Sequence, residues 1–328
     1  MKISQIVQDS LEKWRIYFII PGLIISLFFP VIVQNEYIVR IAINILLFAM
    51  LALGYNVIIT NCGLFHLGYI IYVGIGGYTG ALLTLTFNLS FWIVLPLTLV
   101  AVTLVSYILG FVMLRFRGDY LCLITLAFAE IAKVVAFNWV DVTGGPFGLT
   151  AITPPSIVGH SFSTMTPFYY LIFCMAMLSY GVVYLLVKSS YGLEWSAIKE
   201  DEEGARSLGI NVFWSKQLCF AVGAVLGGAG GCFNAHFQMY LHPSSLSYYE
   251  TFLILMVVLL GGGGIVGTLM GAGVLIILTE ILRGLLTLRI FLMGLFFIVI
   301  MILRPDGFSK GLLRHFQPLK ERTLTGKA

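Results

Sequence analysis

The sequence predicts an all-α polytopic membrane protein. Of its 328 residues, 59% are hydrophobic and only 10% are charged. Apolar runs of about 20 residues, the length that crosses a bilayer as a helix, recur along the whole chain. Most of these runs are apolar on every side, whereas the helices and strands of a soluble domain would show a polar face. No stretch is left over for a soluble domain, so we expect one membrane domain over residues 1–328.

About ten apolar stretches are predicted to be membrane spans. In chain order they are Ile16–Val33, Ile38–Ile59, Leu64–Phe87, Phe91–Leu114, Tyr120–Asn138, Phe168–Val187, Val212–Phe233, Thr251–Leu260, Ile265–Leu282 and Ile290–Leu303. The eighth stretch is too short for a straight spanning helix and runs into four consecutive glycines. Because such a run breaks a helix and frees backbone groups, we expect a broken or re-entrant segment over 251–264.

Glycines also recur within two other predicted spans. They stand at Gly74, Gly76, Gly77 and Gly80 in the third span and at five positions over 223–231 in the seventh. Small residues about four positions apart let helix backbones approach closely in lipid. We therefore expect tight helix packing by these two spans.

The distribution of Lys and Arg orients the chain. Ten spans with a cytoplasmic N-terminus also place the C-terminus in the cytoplasm, so the basic tail 304–328 follows the positive-inside rule. Only Arg40, Arg283 and Arg289 then lie outside. Merging the eighth and ninth spans would put the basic tail outside, against that rule. The same orientation places the polar segment 190–211 in the cytoplasm.

Segment 190–211 contains a cluster of charges that is unusual in so apolar a chain. It lies between two predicted spans and includes Glu200, Asp201, Glu202 and Glu203 in succession. We expect a short amphipathic helix here, with one face formed by Ile198, Ala205, Leu208 and Ile210. An exposed helix of this kind is suited to docking on a partner.

Five polar side chains in predicted spans are candidates for a solute path or a polar seam of the bundle. Glu130 and Lys133 are three residues apart, so they share a helix face and can neutralise each other. The alternative is a pair near an interface that only anchors the helix. His66, Asn56 and Asn44 can hydrogen-bond a zwitterionic solute, although bonding between helices is the commoner role of such groups in membranes.

The sequence has no sign of an enzyme. It lacks a G-x-x-x-x-G-K-S/T phosphate loop, a G-x-S-x-G nucleophile motif and any set of His and Cys with metal-ligand spacing. We therefore expect no catalytic residue, no metal, no cofactor and no nucleic-acid partner. If the protein moves a solute against a gradient, the energy has to come from elsewhere.

Several motifs, read in order, resemble the LivM-type permease of branched-chain amino-acid ABC importers. Glu203-Gly204-Ala205, three residues and Gly209 are similar to the coupling segment of importer permeases, usually Glu-Ala-Ala-x-x-x-Gly. Other stretches that resemble the family are Asn44 to Asn56, Gly63 to Leu82, Arg117 to Ile131, Thr143 to Leu149 and Arg304 to Phe308. The resemblance covers nearly the whole chain.

The resemblance implies the all-helical, type II-like fold of the larger importer permeases, in the plasma membrane of a bacterium or archaeon. It also implies a second, LivH-type permease subunit, two separate ABC ATPase subunits and an extracytoplasmic solute-binding protein. The ATPases would dock on Ile198, Glu203, Ala205, Gly209 and Ile210.

The identity of the solute is left open by the sequence. His66 stands where the family often has Ser, so urea, nucleosides or sugars are alternatives to branched-chain amino acids. An ion-coupled secondary transporter is a further alternative. The glycine-broken eighth span and the pair of Glu130 and Lys133 favour that alternative, but no convincing inverted repeat accompanies them.

Overall fold

The chain is an all-α polytopic membrane protein. A computed structural model describes residues 26–33, 35–116, 118–157, 160–285 and 288–303. Within these ranges eight stretches are long and apolar enough to cross a membrane: Glu36–Asn61, Ile70–Phe87, Phe91–Met113, Asp119–Asn138, Met165–Lys188, Val212–Gln238, Pro243–Leu260 and Val266–Leu285. A shorter apolar helix, Leu288–Leu303, follows them.

The count of ten spans stays a prediction. The first predicted span, Ile16–Val33, lies mostly outside the described residues, which contribute helix only over 26–32. The last predicted span corresponds to the shorter helix Leu288–Leu303. The basic tail 304–328 lies wholly outside the described residues.

After the helical residues 26–32, the described chain contains twelve α-helices. They are α1 Glu36–Asn56, α2 Ile70–Phe87, α3 Phe91–Met113, α4 Asp119–Asn138, α5 Val140–Thr143, α6 Met165–Lys188, α7 Ser190–Glu200, α8 Glu202–Ser207, α9 Val212–Gln238, α10 Tyr248–Leu260, α11 Ile265–Ile281 and α12 Leu288–Leu303. Short 3₁₀ turns cover Gly145–Phe147, Pro243–Ser245 and Leu282–Leu285. Four strands of two residues each are β1 Leu149–Thr150, β2 Ser156–Ile157, β3 His160–Ser161 and β4 Tyr240–Leu241.

Helix α9 is the centre of the bundle and the most deeply buried span. It packs against α1, α2 and α3. Its backbone meets that of α2 at glycines, where a Cβ on Gly231 would lie 1.9 Å from the Val73 carbonyl oxygen and one on Gly76 would lie 2.2 Å from that of Gly228. The predicted tight packing of these two spans is confirmed, because only glycine permits so close an approach.

Helices α3 and α4 form an outer part of the bundle. They are the least buried of the eight spans. Large apolar side chains such as Ile108 and Leu123 are more than half exposed on them. In a membrane these faces contact lipid or another subunit.

The two ends of the bundle differ in structure. Helices α7 and α8 pack at the end where α9 begins, and β4 directly follows the end of α9. Strand β4 pairs antiparallel with β1, in the register Leu149 with Leu241 and Thr150 with Tyr240. Segment 190–211 and the β1–β4 pair therefore lie at opposite ends of α9.

The eighth predicted span is longer than its apolar run. Helix α10 begins at Tyr248, and a 3₁₀ turn over Pro243–Ser245 precedes it, so the expected start at Thr251 is wrong. The polar residues before Thr251 belong to the first helical turn, where Glu250 suits the positive end of the helix dipole. The helix ends at Leu260 and the chain turns over 261–264, which confirms the predicted break.

Candidate functional site

The first part of the candidate site is a break at the end of α1. The helix continues as a π-helical turn over Val57–Asn61, where the Cys62 N–H donates to the Val57 carbonyl at 3.2 Å. Gly63 then adopts a left-handed conformation with φ +71°. Such a φ is strained for residues with a Cβ, so glycine allows the chain to leave the helix here. Single π turns of this kind are common at functional sites.

Side-chain hydroxyls accept hydrogen bonds from the backbone that the break exposes. The Leu67 N–H donates to Thr125 Oγ1 of α4 at 3.1 Å. The Ile70 N–H, at the start of α2, donates to Thr251 Oγ1 of α10 at 3.2 Å. Because unpaired backbone groups are costly inside a membrane, these two threonines stabilise the non-helical stretch. Neither threonine was expected from the sequence to support this stretch.

The second part of the site is the glycine turn 261–264, which lies against the first break. Gly262 and Gly263 both have φ +70°, a conformation that favours glycine. Asn56 Nδ2 donates to the Gly263 carbonyl at 3.2 Å. A Cβ on Gly263 would lie 2.5 Å from Thr60 Cγ2, so the two chains are in direct contact. The structure thus brings two helix breaks together.

His66 lies buried beside the first break, among aromatic rings. Its Nε2 is 3.4 Å from the Tyr72 hydroxyl, and its ring packs edge-on against Phe220 with centroids 4.9 Å apart. The Tyr55 hydroxyl donates to the His66 carbonyl at 2.8 Å. We call Asn56, Thr60, His66, Tyr72 and Gly263 the break site.

Two buried polar atoms of the break site have no hydrogen-bond partner among the described residues. They are Asn56 Oδ1 and His66 Nδ1. An amide oxygen accepts a hydrogen bond, and an imidazole nitrogen donates or accepts according to its tautomer. The two atoms can therefore bond an ammonium, a carboxylate or an ordered water.

The other predicted polar residues lie apart from the break site. Asn44 is half-buried and precedes Asn56 by twelve residues on α1, which separates them by about 18 Å along the helix. Lys133 Nζ is 3.6 Å from Glu130 Oε2, which confirms the predicted pairing. The side chains of this pair are 32% and 42% exposed on α4, so part of the pair faces outward from this chain.

Segment 190–211 forms two helices rather than the single amphipathic helix that was expected. Asp201 leaves the helical conformation between α7 and α8, and its Oδ1 accepts a hydrogen bond from the Glu203 N–H at 3.0 Å. This is the usual interaction of an N-cap aspartate. Glu202, at the start of α8, bonds Lys216 Nζ of α9 at 2.7 Å and Arg206 at 3.2 Å.

Of the four apolar residues expected on one face, three pack together and Leu208 does not, so the expectation is wrong for Leu208 alone. Ile198 and Ala205 are buried with Val212 in a small cluster, and Ile210 packs against it. Leu208 instead points outward and is 81% exposed. Leu208 lies just past the end of α8, where the chain has left the helix, which is why a single helical period misplaced it. Gly209 is exposed, with φ +85°.

A groove of about 390 Å³ opens on the outer side of this segment. Its lining includes Tyr191 and Glu194 of α7, the exposed Leu208 and Gly209, and Trp214 and Leu218 of α9. Glu203 is exposed on α8. The segment therefore offers a surface with both apolar and acidic groups.

Several buried polar contacts had no clear signal in the sequence. The Tyr69 hydroxyl donates to the Gly223 carbonyl at 3.1 Å, which joins α2 to α9. His236 Nε2 lies 2.9 Å from Thr84 Oγ1, nearer the other end of α9. A polar group in an apolar span indicates that a partner is needed, but nothing local to it identifies that partner.

Comparison with known proteins identifies relatives over most of the chain. A family model described as the permease component of branched-chain amino acid transport systems matches residues 37–303. The high-affinity branched-chain amino acid transport system permease proteins LivM of Salmonella typhimurium and Escherichia coli are each 32% identical over 325 residues, covering 92% of this chain and 76% of the relative.

A more distant relative comes from an archaeon. The probable branched-chain amino acid transport permease protein LivM of Methanocaldococcus jannaschii is 20% identical over 176 residues, covering 52% of this chain and 51% of the relative. No solved structure matches.

Proposed function

We propose a function for this chain from its family, since it belongs to the permease component family of branched-chain amino acid transport systems. It is a multi-pass membrane permease subunit of an ABC importer for branched-chain amino acids. The match over residues 37–303 carries this conclusion, because it includes both helix breaks and segment 190–211. The chain is a transport subunit, and ATP hydrolysis is assigned to separate ATPase subunits, whose phosphate loop this sequence lacks.

The ATPase subunits, we propose, dock on the outer side of segment 190–211. Leu208, Gly209 and Ile210 line the groove there, and Glu203 is exposed on α8. Ile198 and Ala205 are not part of this surface. They hold the segment against the bundle through their buried contacts with Val212 of α9. Their role in coupling is therefore indirect.

A second, LivH-type permease subunit is proposed to cover the outer faces of α3 and α4. An ion pair that is partly exposed on a membrane span is costly in lipid. The pair formed by Glu130 and Lys133 has this position, and Glu130 Oε1 is buried without a partner in the described chain. A partner subunit with polar groups at this face would reduce that cost and form a polar seam with α4.

The remaining assignments follow the family and the distribution of charge. We propose ten spans in a single permease domain over residues 1–328, with a type II-like importer fold and both termini cytoplasmic. The subunit would lie in the inner membrane of a bacterium or archaeon and receive its solute from an extracytoplasmic binding protein. The break site, with Asn56 and His66, is the proposed point where the solute path passes the broken ends of α1 and α10.

Reconstitution tests this function directly. The chain is co-purified with its second permease, its ATPases and its binding protein, and the complex is placed in proteoliposomes loaded with ATP. We expect ATP-dependent transport of radiolabelled leucine, isoleucine and valine that excess urea, ribose or adenosine does not compete. Ionophores should leave it unchanged. Transport that needs an ion gradient but no ATP would favour a secondary transporter and contradict the proposal.

A further inference from the structure

A lysine of segment 190–211 reaches the helix break of α1. Lys199 Nζ, near the end of α7, donates a hydrogen bond to the Thr60 carbonyl at 2.8 Å. Thr60 belongs to the last helical turn before the chain leaves α1, where carbonyls lack intrahelical donors. A cation is also favourable at the negative end of a helix dipole. The contact therefore has a clear physical basis.

The stem of the same lysine fits against a glycine of the break. A Cβ on Gly63 would lie 2.8 Å from Lys199 Cγ. Gly63 therefore serves two purposes, because it permits φ +71° and leaves room for the lysine. This packing directs the ammonium group toward the Thr60 carbonyl.

The contacts continue from Thr60 to the second break. The Thr60 side chain lies against Gly263, whose carbonyl accepts the hydrogen bond from Asn56 Nδ2. Lys199, Thr60, Gly263 and Asn56 thus form one continuous series of contacts. The series begins in segment 190–211 and ends at the buried amide of the break site.

Helix α7 and the glycine turn, at the two ends of this series of contacts, are held in place in different ways. Helix α7 is attached to α9 through Trp195, whose Nε1 donates to the Ser215 carbonyl at 3.0 Å, and through the buried Ile198. The glycine turn 261–264 is instead held by backbone hydrogen bonds and close backbone contacts, and it has no side chains of its own. Because glycine has the widest range of backbone conformations, this turn can take up a displacement of α7.

We propose that Lys199 is a positioning residue for transport, which transmits displacement of segment 190–211 to both helix breaks and so to the contact between Asn56 and Gly263. The proposal rests on the proposed function, because docked ATPases are what would displace the segment. It goes beyond docking, since it names the side chain through which the displacement reaches the spans. The simpler alternative is that Lys199 only caps the end of α1.

Hydrogen exchange on the purified permease separates the two roles without any transported solute. The amides of Gly261, Gly262 and Gly263 are hydrogen-bonded to backbone carbonyls of α10, so their protection can be measured. Lys199→Met keeps the aliphatic stem and removes the donor. We expect exchange at these three amides to accelerate about fivefold, the factor for the loss of one ordinary hydrogen bond. Lys199→Arg should restore protection.

Lys188→Met is the matched control, because it removes the same charge near segment 190–211 from a residue that lies over the Tyr184 ring of its own helix. It should leave exchange at 261–263 unchanged. Acceleration confined to residues 62–64 in Lys199→Met would mean a local cap and would overturn the proposal, as would no acceleration at all. Lys199→Gln is the second variant if Lys199→Met does not fold.

The reconstituted complex supplies the second measurement. Lys199→Met should lower the amount of leucine transported per ATP hydrolysed, while its ATP hydrolysis persists. A structural cap alone would lower both in proportion, which would contradict the proposal. The wild-type complex reports separately on the proposed function: if it moves no branched-chain amino acid, that function fails, and the exchange measurement still decides the role of Lys199.

Discussion

Gly231→Ala tests the close contact between α2 and α9. In the structure, a Cβ on Gly231 would lie 1.9 Å from the Val73 carbonyl oxygen. Real Cβ atoms do not approach other atoms closer than 3.0 Å, so the two backbones must separate by about 1 Å in a close-packed interface. The atom that would have to move is a backbone oxygen, and no side-chain rotation can relieve the overlap.

The size of the effect follows from two opposing terms. Overpacking a well-packed contact costs about 1–3 kcal/mol, and a rigid backbone partner places this site near the upper end. Alanine recovers about 1 kcal/mol because it favours the helix over glycine. We therefore expect Gly231→Ala to lower the free energy of unfolding by about 2 kcal/mol net.

Gly273→Ala on α11 is the matched control, because nothing lies within 4 Å of a Cβ built there. It should be neutral or stabilising by up to about 1 kcal/mol. The assay is equilibrium unfolding in mixed micelles, with increasing fractions of SDS and helix content measured by circular dichroism. If Gly231→Ala proved as stable as Gly273→Ala, the close packing of α2 against α9 would be refuted.

Three further predictions concern charge and topology. Glu130→Gln and Lys133→Met should each reduce the amount of folded, transporting protein, because each change alone leaves an uncompensated charge. The double variant should do less harm than the worse single one, and additive losses would mean that the two residues are not coupled. In intact cells, an impermeant thiol reagent should label Ser245→Cys but not Ser207→Cys, because these positions lie at opposite ends of the bundle. External labelling of Ser207→Cys would contradict the proposed orientation of the chain. Glu203→Lys should abolish solute-dependent ATP hydrolysis while the protein still inserts, and normal coupling in this variant would exclude Glu203 from the docking surface.

The local features of this chain were predictable from its sequence. The first residue of α3, Phe91, and the last residue of α4, Asn138, agree with the predicted spans. The glycine turn at 261–264 was likewise expected. Each of these depends on nearby residues alone: on the apolar length that a bilayer requires, or on the conformational freedom of glycine. The pairing of Glu130 with Lys133 was predictable for the same reason, because it needs only helical spacing.

The points at which a helix begins or ends inside a polar segment were not predicted. The helix-capping aspartate at position 201 divides segment 190–211 into two helices, and Leu208 lies past the end of the second one, where it points outward. Asp201 followed by Glu202 and Glu203 is a recognisable helix start, and this signal could have been read. Helix α10 also begins earlier than the predicted Thr251, because the polar residues before Thr251 belong to the helix.

The sequence by itself determined the membrane class, most of the spans and, through ordered motifs, the family. It also determined the tight packing of two spans at glycines and the glycine turn 261–264. Only the tertiary structure decided which polar groups meet. Lys199 and Thr60 are 139 residues apart, and Asn56 and Gly263 are 207 apart. The physical reason is that periodicity and propensity describe a helix and its own surface. Contacts between helices depend on how the whole bundle packs, and in an apolar bundle a few hydrogen bonds decide which parts of the chain are joined.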